Sequence, residues 1–513
     1  MLKYICSYLN LFTKKNYFII FVLFSGFPLF FIPNVWDGVV YDYGLIIENI
    51  SGIEIFYKEI GSPFQLVFFY LIIFVKKITS ISHEFLFDIL TVITLILFSF
   101  EIKKYSQILF NFDNRWSNLC AIFAISFPVW HTLVSINLGL YLTCFYFALL
   151  GYRLFISENL FIRVIGIIVI LFSFSIKSNF AFVIGLSLAH NLKLLLHGQS
   201  VRKYPLLFII FLSTGAYFIN SKFFPPYGVF EGYNQIKFQN LDFISLIKNI
   251  YNYLTFFIFY LWIPAFYFLI LKLKKRNIEL QNLFKKKAIG DYLVVIIIFV
   301  TSIAPYILLD KSSDLFFFSD YHSRHAYLLA VSFGLFFSIL LKKINDIYNI
   351  RKIYLLILTF FILQNLFILG VGYYTKIESA FFRYDFVEKL KKIEEPPGGN
   401  VQIISSHIPG YLRHYEISYL FYKAYGKASW WGIVRNNQEL IENVNVPERM
   451  LKTYGRGVKE IGYRTYFLLD DYNQQCNIVM QLTNEINKFD RIFKYYILNF
   501  EDYFNIKVLK IDC

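Results

Sequence analysis

Two aspartates follow the first long apolar block of the chain, which covers residues 16–33. Asp37 and Asp42 stand on either side of Tyr41 in the polar segment that comes next. A carboxylate at the end of a buried helix can act as a general base toward a hydroxyl group. A hydrated acidic loop has the same composition and costs nothing in water. Asp37 is therefore a candidate catalytic residue, with a hydrated loop as the alternative.

A single lysine lies in the short turn between two further apolar blocks, residues 161–176 and 178–196. An ionisable side chain between two closely spaced apolar segments is a functional candidate by default. Lys177 is therefore a candidate for binding a substrate. The alternative is a lysine whose ammonium group reaches outward to lipid headgroups.

A polar cluster just before a later apolar block contains Asp320, His322, Arg324 and His325. The planar guanidinium group of an arginine can bind two phosphate oxygens at once. Arg324 and His325 are therefore candidate substrate-binding residues. Histidine and aspartate are also metal ligands, but this one short cluster comes with no further ligand. We assign no metal ligands and no cofactor, and a divalent cation lacks support.

The elements that must position these residues are apolar blocks of a length suited to membrane helices. Of the 513 residues, 57% are hydrophobic and only 17% are charged, whereas soluble proteins are about 25% charged. A helix of ~20 apolar residues crosses the ~30 Å hydrocarbon layer of a bilayer. The sequence therefore predicts a polytopic α-helical membrane protein with about eleven spans. The predicted spans are residues 16–33, 84–100, 117–133, 138–155, 161–176, 178–196, 205–223, 249–271, 291–309, 325–341 and 353–373.

The net charge of +15 would suggest nucleic-acid binding in a soluble protein, but its distribution favours a membrane protein. The lysines and arginines concentrate in alternate short loops, as the positive-inside rule expects of cytoplasmic loops. Lys3, Lys14 and Lys15 place the N-terminus in the cytoplasm, which sends the C-terminal region to the other side. We expect a multi-pass protein of the inner (cytoplasmic) membrane, with the lipid bilayer and no nucleic acid as a partner.

One apolar block, residues 64–75, is too short to cross a bilayer comfortably. Counting it as a span would also move every later basic loop to the other side of the membrane. We interpret it as a helix in the outer interface, with Lys76 and Lys77 at the headgroups. A true span, with the rest of the topology inverted, is the alternative.

The sequence divides into a transmembrane domain, residues 1–374, and an extracytoplasmic domain, residues 375–513. Within the first, residues 34–83 form an outer loop with juxtamembrane helices. Cys476 and Cys513 can pair if their compartment is oxidising, with free thiols as the alternative. Alternating patterns predict a small α/β fold for the second domain. Its expected elements are strands at 401–405, 494–500 and 504–511, and a helix at 474–489.

The first outer loop resembles that of the GT-C superfamily of membrane glycosyltransferases, most closely the protein O-mannosyltransferases and the lipid A aminoarabinose transferases. Asp37 and Tyr41 match the Asp-Glu-x-x-Tyr spacing of that superfamily. The segment from Ser62 to Phe64 resembles the start of its second interfacial helix. Gly38 stands in place of the usual second acid. The next outer loop has no carboxylate, whereas metal-dependent members carry an acidic motif there.

The resemblance implies transfer of a sugar from a polyprenyl-phosphate donor to a lipid, glycan or protein acceptor at the outer membrane face. Asp37 would then be the general base, Tyr41 would shape the sugar site, and Asp42 would replace the missing acid. Lys177 and Arg324 would stabilise the charge of the leaving phosphate.

Three other classes of protein remain open on the sequence. A polymerase or ligase of surface polysaccharide would use the same lipid carriers with an arginine-rich outer loop. A transporter or flippase would have ionisable groups within spans or paired broken helices, for which Asp88, Pro264 and Pro305 are the hints. A non-enzymatic membrane protein would use the outer domain to bind a partner.

Overall fold

The candidate residues Lys177, Arg324 and His325 lie within the described part of the chain, whereas Asp37, Tyr41 and Asp42 lie outside it. The computed structural model describes residues 50–81, 83–134, 136–200, 203–227, 242–260, 262, 265, 286–313, 321–348, 360–361, 363–371, 383–405, 414–427, 429–435, 476–483 and 505–513.

The described chain is mostly helical with one small sheet, as the sequence predicts. The helices of the N-terminal part are α1 (Ile50–Glu59), α2 (Leu66–Thr79), α3 (His83–Phe110), α4 (Asn114–Ile125), α5 (Ile136–Phe155), α6 (Leu160–Ser173), α7 (Ser178–Leu196), α8 (Lys203–Phe223), α9 (Phe243–Ile258), α10 (Lys286–Ile307) and α11 (Leu329–Tyr348).

Several helices have the length and composition of membrane spans. In the described residues these are Phe85–Phe110, Ser178–Leu196, Pro205–Phe223 and Ile289–Ile307. Two shorter helices, Gly139–Phe155 and Leu160–Ser173, are also apolar. These helices are compatible with a multi-pass membrane protein. The total of about eleven spans stays a prediction, because several predicted spans lie partly or wholly outside the described residues.

Helix α3 is longer than the span predicted for residues 84–100. It continues to Phe110, beyond the point at which charged residues end the apolar run. Glu101 at that point is buried and forms an ion pair with Arg153 of α5 (Nη2 to Oε1, 3.1 Å). The pair neutralises the carboxylate inside the bundle, so the helix continues through a residue that would otherwise favour water.

Helix α4 is shorter than the span predicted for residues 117–133. It ends at Ile125, and a 3-10 helix follows over Pro128–Val134. Pro128 lacks the N–H that an α-helix requires and disfavours helical geometry in the residue before it. Two other 3-10 helices, Pro63–Gln65 and Tyr321–Ala326, precede α2 and α11.

Small residues allow the helices to approach closely where apolar lipid supplies no hydrophobic drive between them. A Cβ atom on Gly185 of α7 would overlap the Thr301 hydroxyl of α10. A Cβ atom on Gly139 of α5 would overlap the Thr91 hydroxyl of α3 in the same way. These contacts hold the central helices at a fixed separation.

One end of the bundle is formed by segments predicted to be outer loops, and we call it the cavity end. The side chain of Gln65 donates to the carbonyl of Ser175 (3.2 Å), which joins the α2 entry to the α6–α7 turn. Tyr306, near the end of α10, donates to the Ser178 hydroxyl (3.1 Å). Its ring also packs on that of His325, 4.8 Å away.

The opposite end, which we call the basic end, contains ion pairs of predicted cytoplasmic residues. Lys193 of α7 and Lys343 of α11 share the carboxylate of Asp291 on α10. The pair of Glu101 and Arg153 also lies toward this end. Which end faces the cytoplasm stays a prediction.

The short apolar block of residues 64–75 belongs to α2, which has 14 residues and a length of roughly 21 Å at 1.5 Å per residue. Phe69 and Ile72 on one face are buried, whereas Leu71 and Phe74 on the other are exposed. A helix this short does not cover the ~30 Å of a hydrocarbon layer. Its place in the membrane interface stays a prediction.

The C-terminal part contains a four-stranded sheet and helix α12 (His414–Tyr425). The strands are β1 (Gly399–Ser405), β2 (Trp430–Arg435), β3 (Asn477–Thr483) and β4 (Asn505–Asp512). The strand order is β2-β1-β3-β4, and only the β3–β4 pair is antiparallel.

The helix predicted over residues 474–489 is wrong at 477–483, which form the central strand β3. Ile478, Val479 and Met480 are buried there, and β-branched residues such as the first two favour strands.

Cys476 and Cys513 form a disulfide that joins the start of β3 to the end of β4. It closes the antiparallel edge of the sheet. Disulfides persist in oxidising compartments, so the bond favours the predicted extracytoplasmic location of this domain. Cys120 and Cys144 are free thiols buried among the helices.

Single cysteines at the two ends test the topology. In a background without the native free thiols, a cysteine at Lys58 should react with an impermeant maleimide on intact cells. One at Glu158, in the α5–α6 loop, should react only after permeabilisation. Both positions are exposed, so access to reagent decides the result. Reaction of both on intact cells would contradict the arrangement of the bundle.

The disulfide predicts a measurable loss of stability on reduction. Closing a loop with a sequence separation of 37 is worth about 2–4 kcal/mol. Non-reduced peptide mapping should recover Cys476 linked to Cys513. Reduction should then make the C-terminal domain more sensitive to protease in the native chain but not in a Cys476→Ser, Cys513→Ser variant. Free thiols at both positions would show that the pairing is wrong.

Candidate functional site

A cavity of about 150 Å³ lies at the cavity end of the bundle. Three cationic side chains line it, from Lys177, Lys311 and Arg324. Tyrosine and serine hydroxyls and the amide of Gln65 add further polar groups. No carboxylate lines the cavity among the residues described. The described lining thus combines cationic and hydroxyl groups with apolar and aromatic side chains.

Lys177 is positioned by the tight turn between α6 and α7. The amide of Asn179 donates to the carbonyls of Ser173 (2.8 Å) and Cys144 (3.2 Å), which ties the turn to α5. Lys177 is the residue before α7, and Ser178 is the first residue of that helix. The partial positive charge of a helix N-terminus attracts anions. The start of α7 thus adds to the charge of Lys177 at the cavity.

Lys311 is positioned by the C-terminus of α10, which ends in a Schellman motif. The N–H of Lys311 donates to the carbonyl of Tyr306 at 2.9 Å. The N–H of Asp310 donates to the carbonyl of Ile307 at 3.0 Å, which completes the motif. Asp310 has a φ of 53°, and Asn249 donates to its carboxylate at 2.9 Å. These main-chain hydrogen bonds therefore fix the backbone position from which the Lys311 side chain extends.

Arg324 and His325 belong to the 3-10 helix before α11, and only 8% and 3% of their surfaces are exposed. Tyr327, two residues after His325, forms a hydrogen bond between its hydroxyl and that of Thr132. Thr132 belongs to the 3-10 helix Pro128–Val134. The Tyr327 ring also packs against Trp130 at 5.0 Å. This packing fixes the segment that carries Arg324. Burial makes the arginine charge more effective, since the local dielectric constant is lower than in water.

The loop between α1 and α2 lies over the cavity and is held by main-chain contacts. The N–H of Tyr227 donates to the carbonyl of Glu59 at 2.9 Å. Gly61 has a φ of +73°, and a Cβ atom there would lie 2.5 Å from the carbonyl oxygen of Phe224. Both the backbone conformation and the close approach require glycine. Gln65, at the end of this loop, reaches the cavity itself.

A hydrogen bond also joins α1 to α2 beside the cavity. The Tyr70 hydroxyl donates to the Glu54 carboxylate at 2.5 Å, and the Lys58 ammonium group donates to it at 3.5 Å. These two bonds, the tyrosine bond above all, lower the pKa of Glu54. The same carboxylate raises the pKa of Tyr70 to about 12. Glu54 is therefore charged at neutral pH, and Tyr70 is neutral.

The structure brings together Lys177, Arg324 and His325, three of the residues selected from sequence, in one cavity. Their separation along the chain gave no indication of this proximity. Sequence reasoning did not select Lys311 and Tyr306. The signal for Lys311 was its position just after a predicted span, on the same predicted side as Arg324.

The described residues contain no group of three or more histidine, cysteine, aspartate or glutamate side chains arranged to hold a metal ion. The His325 ring packs against the ring of Tyr306.

Comparison of the sequence with known protein families and with curated proteins finds no match.

The conformation and close packing of Gly61 should make this position of the loop sensitive to substitution. Gly61→Ala should lower the free energy of unfolding by about 1–3 kcal/mol, because it combines a left-handed backbone with a steric overlap. Gly215→Ala is the matched control, since a Cβ atom on Gly215 meets open space. Thermal unfolding in detergent would compare them. Equal melting temperatures for Gly61→Ala and wild type would contradict the described loop.

Proposed function

We propose that this protein is a membrane glycosyltransferase that moves a sugar from a polyprenyl-phosphate carrier to an acceptor hydroxyl at the outer face of the membrane. The observation that supports it most is the convergence of Lys177, Lys311 and Arg324 on one cavity. These cations come from three separate elements of the bundle. Their common ligand should be an anion that reaches the end of the membrane helices.

A phosphate attached to an isoprenoid chain suits both the cationic cavity and the hydrocarbon layer beside it. The phosphate meets the cations at the bundle end, and the chain remains in the hydrocarbon layer beside exposed apolar residues. Phe64, which is exposed and adjacent in sequence to the lining residue Gln65, packs against Phe224 with the rings 5.7 Å apart. Tyr217 of α8 lines the cavity and is partly exposed. An amphiphilic substrate is therefore better suited to the site than a wholly soluble one.

The proposed reaction transfers the sugar directly. The acceptor oxygen attacks the anomeric carbon while the bond from that carbon to the phosphate oxygen breaks. The leaving phosphate keeps the bonding electron pair. Its growing negative charge is stabilised by fixed cations in a poorly hydrated site, where electrostatic effects are strongest.

Asp37 is the proposed general base that takes the proton from the acceptor hydroxyl. Tyr41 and Asp42 are proposed to contact the sugar, and His325 the phosphate end of the substrate. The first three lie outside the described residues, so their roles rest on sequence alone. The acceptor is a lipid, a glycan or a protein. The transferase would act on the extracytoplasmic side, where the disulfide of the C-terminal domain is stable.

Activity measurements on single variants test the proposal. Asp37→Asn should reduce transfer from a labelled polyprenyl-phosphate sugar by about 10²–10⁴-fold, the usual value of general-base catalysis. Arg324→Ala should also lower transfer, because one charge opposite the leaving group is lost. Lys222→Gln is the matched control, since Lys222 is exposed on the same end of the bundle but does not line the cavity.

Different outcomes of these measurements test the general base and the transferase reaction separately. Undiminished transfer by Asp37→Asn would show that Asp37 is not the base. The absence of transfer by wild type with any lipid-linked sugar would overturn the transferase proposal. Transport of the lipid-linked sugar across a vesicle membrane, without transfer, would favour a flippase.

A further inference from the structure

Gln65 is a buried polar side chain at the cavity for which the reaction proposed above has no role. Only 8% of its surface is exposed, and it lines the cavity. Burying an amide away from water costs free energy unless its polar atoms find partners. One such partner is the main-chain carbonyl of Ser175, which accepts from Nε2 at 3.2 Å. The second polar atom of the amide, Oε1, is a hydrogen-bond acceptor.

The main chain that leads to Gln65 is held by hydrogen bonds. The 3-10 helix Pro63–Gln65 begins at a proline, whose fixed φ suits the start of a helix. The N–H of Gln65 donates to the carbonyl of Ser62 at 3.1 Å. The N–H of Ser62 in turn donates to the carbonyl of Tyr57 in α1 at 2.9 Å. These bonds therefore set the position from which the Gln65 side chain extends.

The partner of the Gln65 amide fixes which way the amide faces. A main-chain carbonyl accepts and never donates, so the NH2 group must point to Ser175 and Oε1 must point away from it. Ser175 itself is held in the α6–α7 turn, because its N–H donates to the carbonyl of Phe172 at 3.2 Å. Its hydroxyl donates to the same carbonyl at 2.8 Å. Both sides of the contact are thus fixed, and Oε1 has a defined direction.

An acceptor atom at this position selects the chemistry of its ligand. The oxygens of an ionised phosphodiester carry no proton, so they would meet Oε1 as acceptor against acceptor. A hydroxyl group can donate to Oε1, and an amide oxygen has two acceptor positions. Lys177 comes two residues after Ser175 and lines the same cavity. A phosphate at Lys177 and a hydroxyl at Gln65 would therefore be neighbours, as they are in a sugar joined directly to a phosphate.

Three tyrosines of the cavity lining suit the rest of a sugar ring. They come from α1, α5 and α8 and are Tyr57, Tyr141 and Tyr217. Tyr57 is 2% exposed, and its ring packs on that of Phe69 at 5.0 Å. A sugar ring has apolar C–H faces and a polar rim of hydroxyl groups, and an aromatic side chain offers an apolar surface to such a face. The lining therefore contains groups for both parts of a sugar.

We propose that Gln65 is a specificity-determining residue whose Oε1 atom accepts a hydrogen bond from one hydroxyl group of the donor sugar. The inference rests on the proposed function and assigns the wall of the same site that recognises the sugar. Ser175 positions the amide, and Oε1 contacts the sugar. A site that pairs with a substrate hydroxyl rejects analogues that lack it, because its own polar atom is then left unpaired. The protein should therefore discriminate between lipid-linked sugars at one hydroxyl position.

Binding to the full chain in phosphatidylcholine nanodiscs would separate the sugar contact from the lipid and phosphate contacts. The probes are farnesyl phosphate alone and farnesyl phosphate linked to glucose, mannose, galactose or arabinose. Farnesyl phosphate has no sugar hydroxyl, so Gln65→Met should bind it as wild type does. The same variant should bind the sugar-linked probe that wild type prefers about tenfold more weakly, as expected for the loss of one hydrogen bond.

A second variant and a matched control accompany this test. Gln65→Asn keeps an amide but shortens the side chain, so it cannot reach both partners and should show the same selective loss. Gln107→Met is the control, because Gln107 is a partly buried glutamine that donates to Asn114 at 3.1 Å and is not among the residues that line the cavity. It should bind every probe as wild type does.

Analogues of the preferred sugar that each lack one hydroxyl group would locate the contact. One of them should bind wild type about tenfold more weakly than the parent sugar does. Gln65→Met should bind that analogue and the parent equally, since the hydrogen bond can be lost only once and the two changes do not add. A residue that merely holds the loop would weaken all analogues alike.

The remaining outcomes overturn defined parts. Equal weakening of farnesyl phosphate and of the sugar-linked probes in Gln65→Met and Gln65→Asn would overturn the sugar contact, and so would unchanged binding of both. Losses that add for every deoxy analogue would also overturn it. Wild type that binds farnesyl phosphate as tightly as every sugar-linked probe would overturn the sugar wall and leave a lipid phosphate site standing. Failure of wild type to bind any farnesyl probe would overturn the proposed function itself.

Discussion

Backbone hydrogen bonding is the constraint on which the rest of the structure depends. A chain surrounded by hydrocarbon has no water for its N–H and C=O groups, so it must satisfy them within helices. Irregular backbone is then confined to the ends of the bundle. The turn before α7, the Schellman end of α10 and the 3-10 helix Tyr321–Ala326 are all of this kind. Lys177, Lys311 and Arg324 reach the cavity from these irregular segments, and residues of the neighbouring helices complete its lining.

Charged side chains lie at both ends of the bundle, in different arrangements. At the basic end, Lys193 and Lys343 are neutralised by Asp291, and Arg153 is neutralised by Glu101. Such pairs offset the cost of removing ions from water. At the cavity end, three cations surround one space whose described lining contains no carboxylate. The first arrangement stabilises the fold, and the second brings cations from three separate segments to one cavity.

Tyr306 illustrates how packing and chemistry are coupled at the cavity. Its hydroxyl binds Ser178 of α7, and its ring packs on His325. Its main-chain carbonyl accepts the Lys311 N–H bond that closes the C-terminus of α10. One buried residue thus contacts the three segments that carry the cations. No periodicity in the sequence marks this residue, since it reads as one more aromatic residue in an aromatic-rich chain.

The sequence by itself determined the helical membrane character, because apolar blocks of spanning length have few other stable states. Through charge alone it also predicted that Lys177 and Arg324 lie on the side of the membrane opposite the basic loops. It could not determine the strand at Asn477–Thr483, since a short apolar run fits a helix or a strand until its neighbours are known. The proximity of Lys177, Lys311 and Arg324 was decided only by the tertiary structure. Such proximity depends on how α7, α10 and α11 pack, and close packing is a property of surfaces that distant parts of the chain form together.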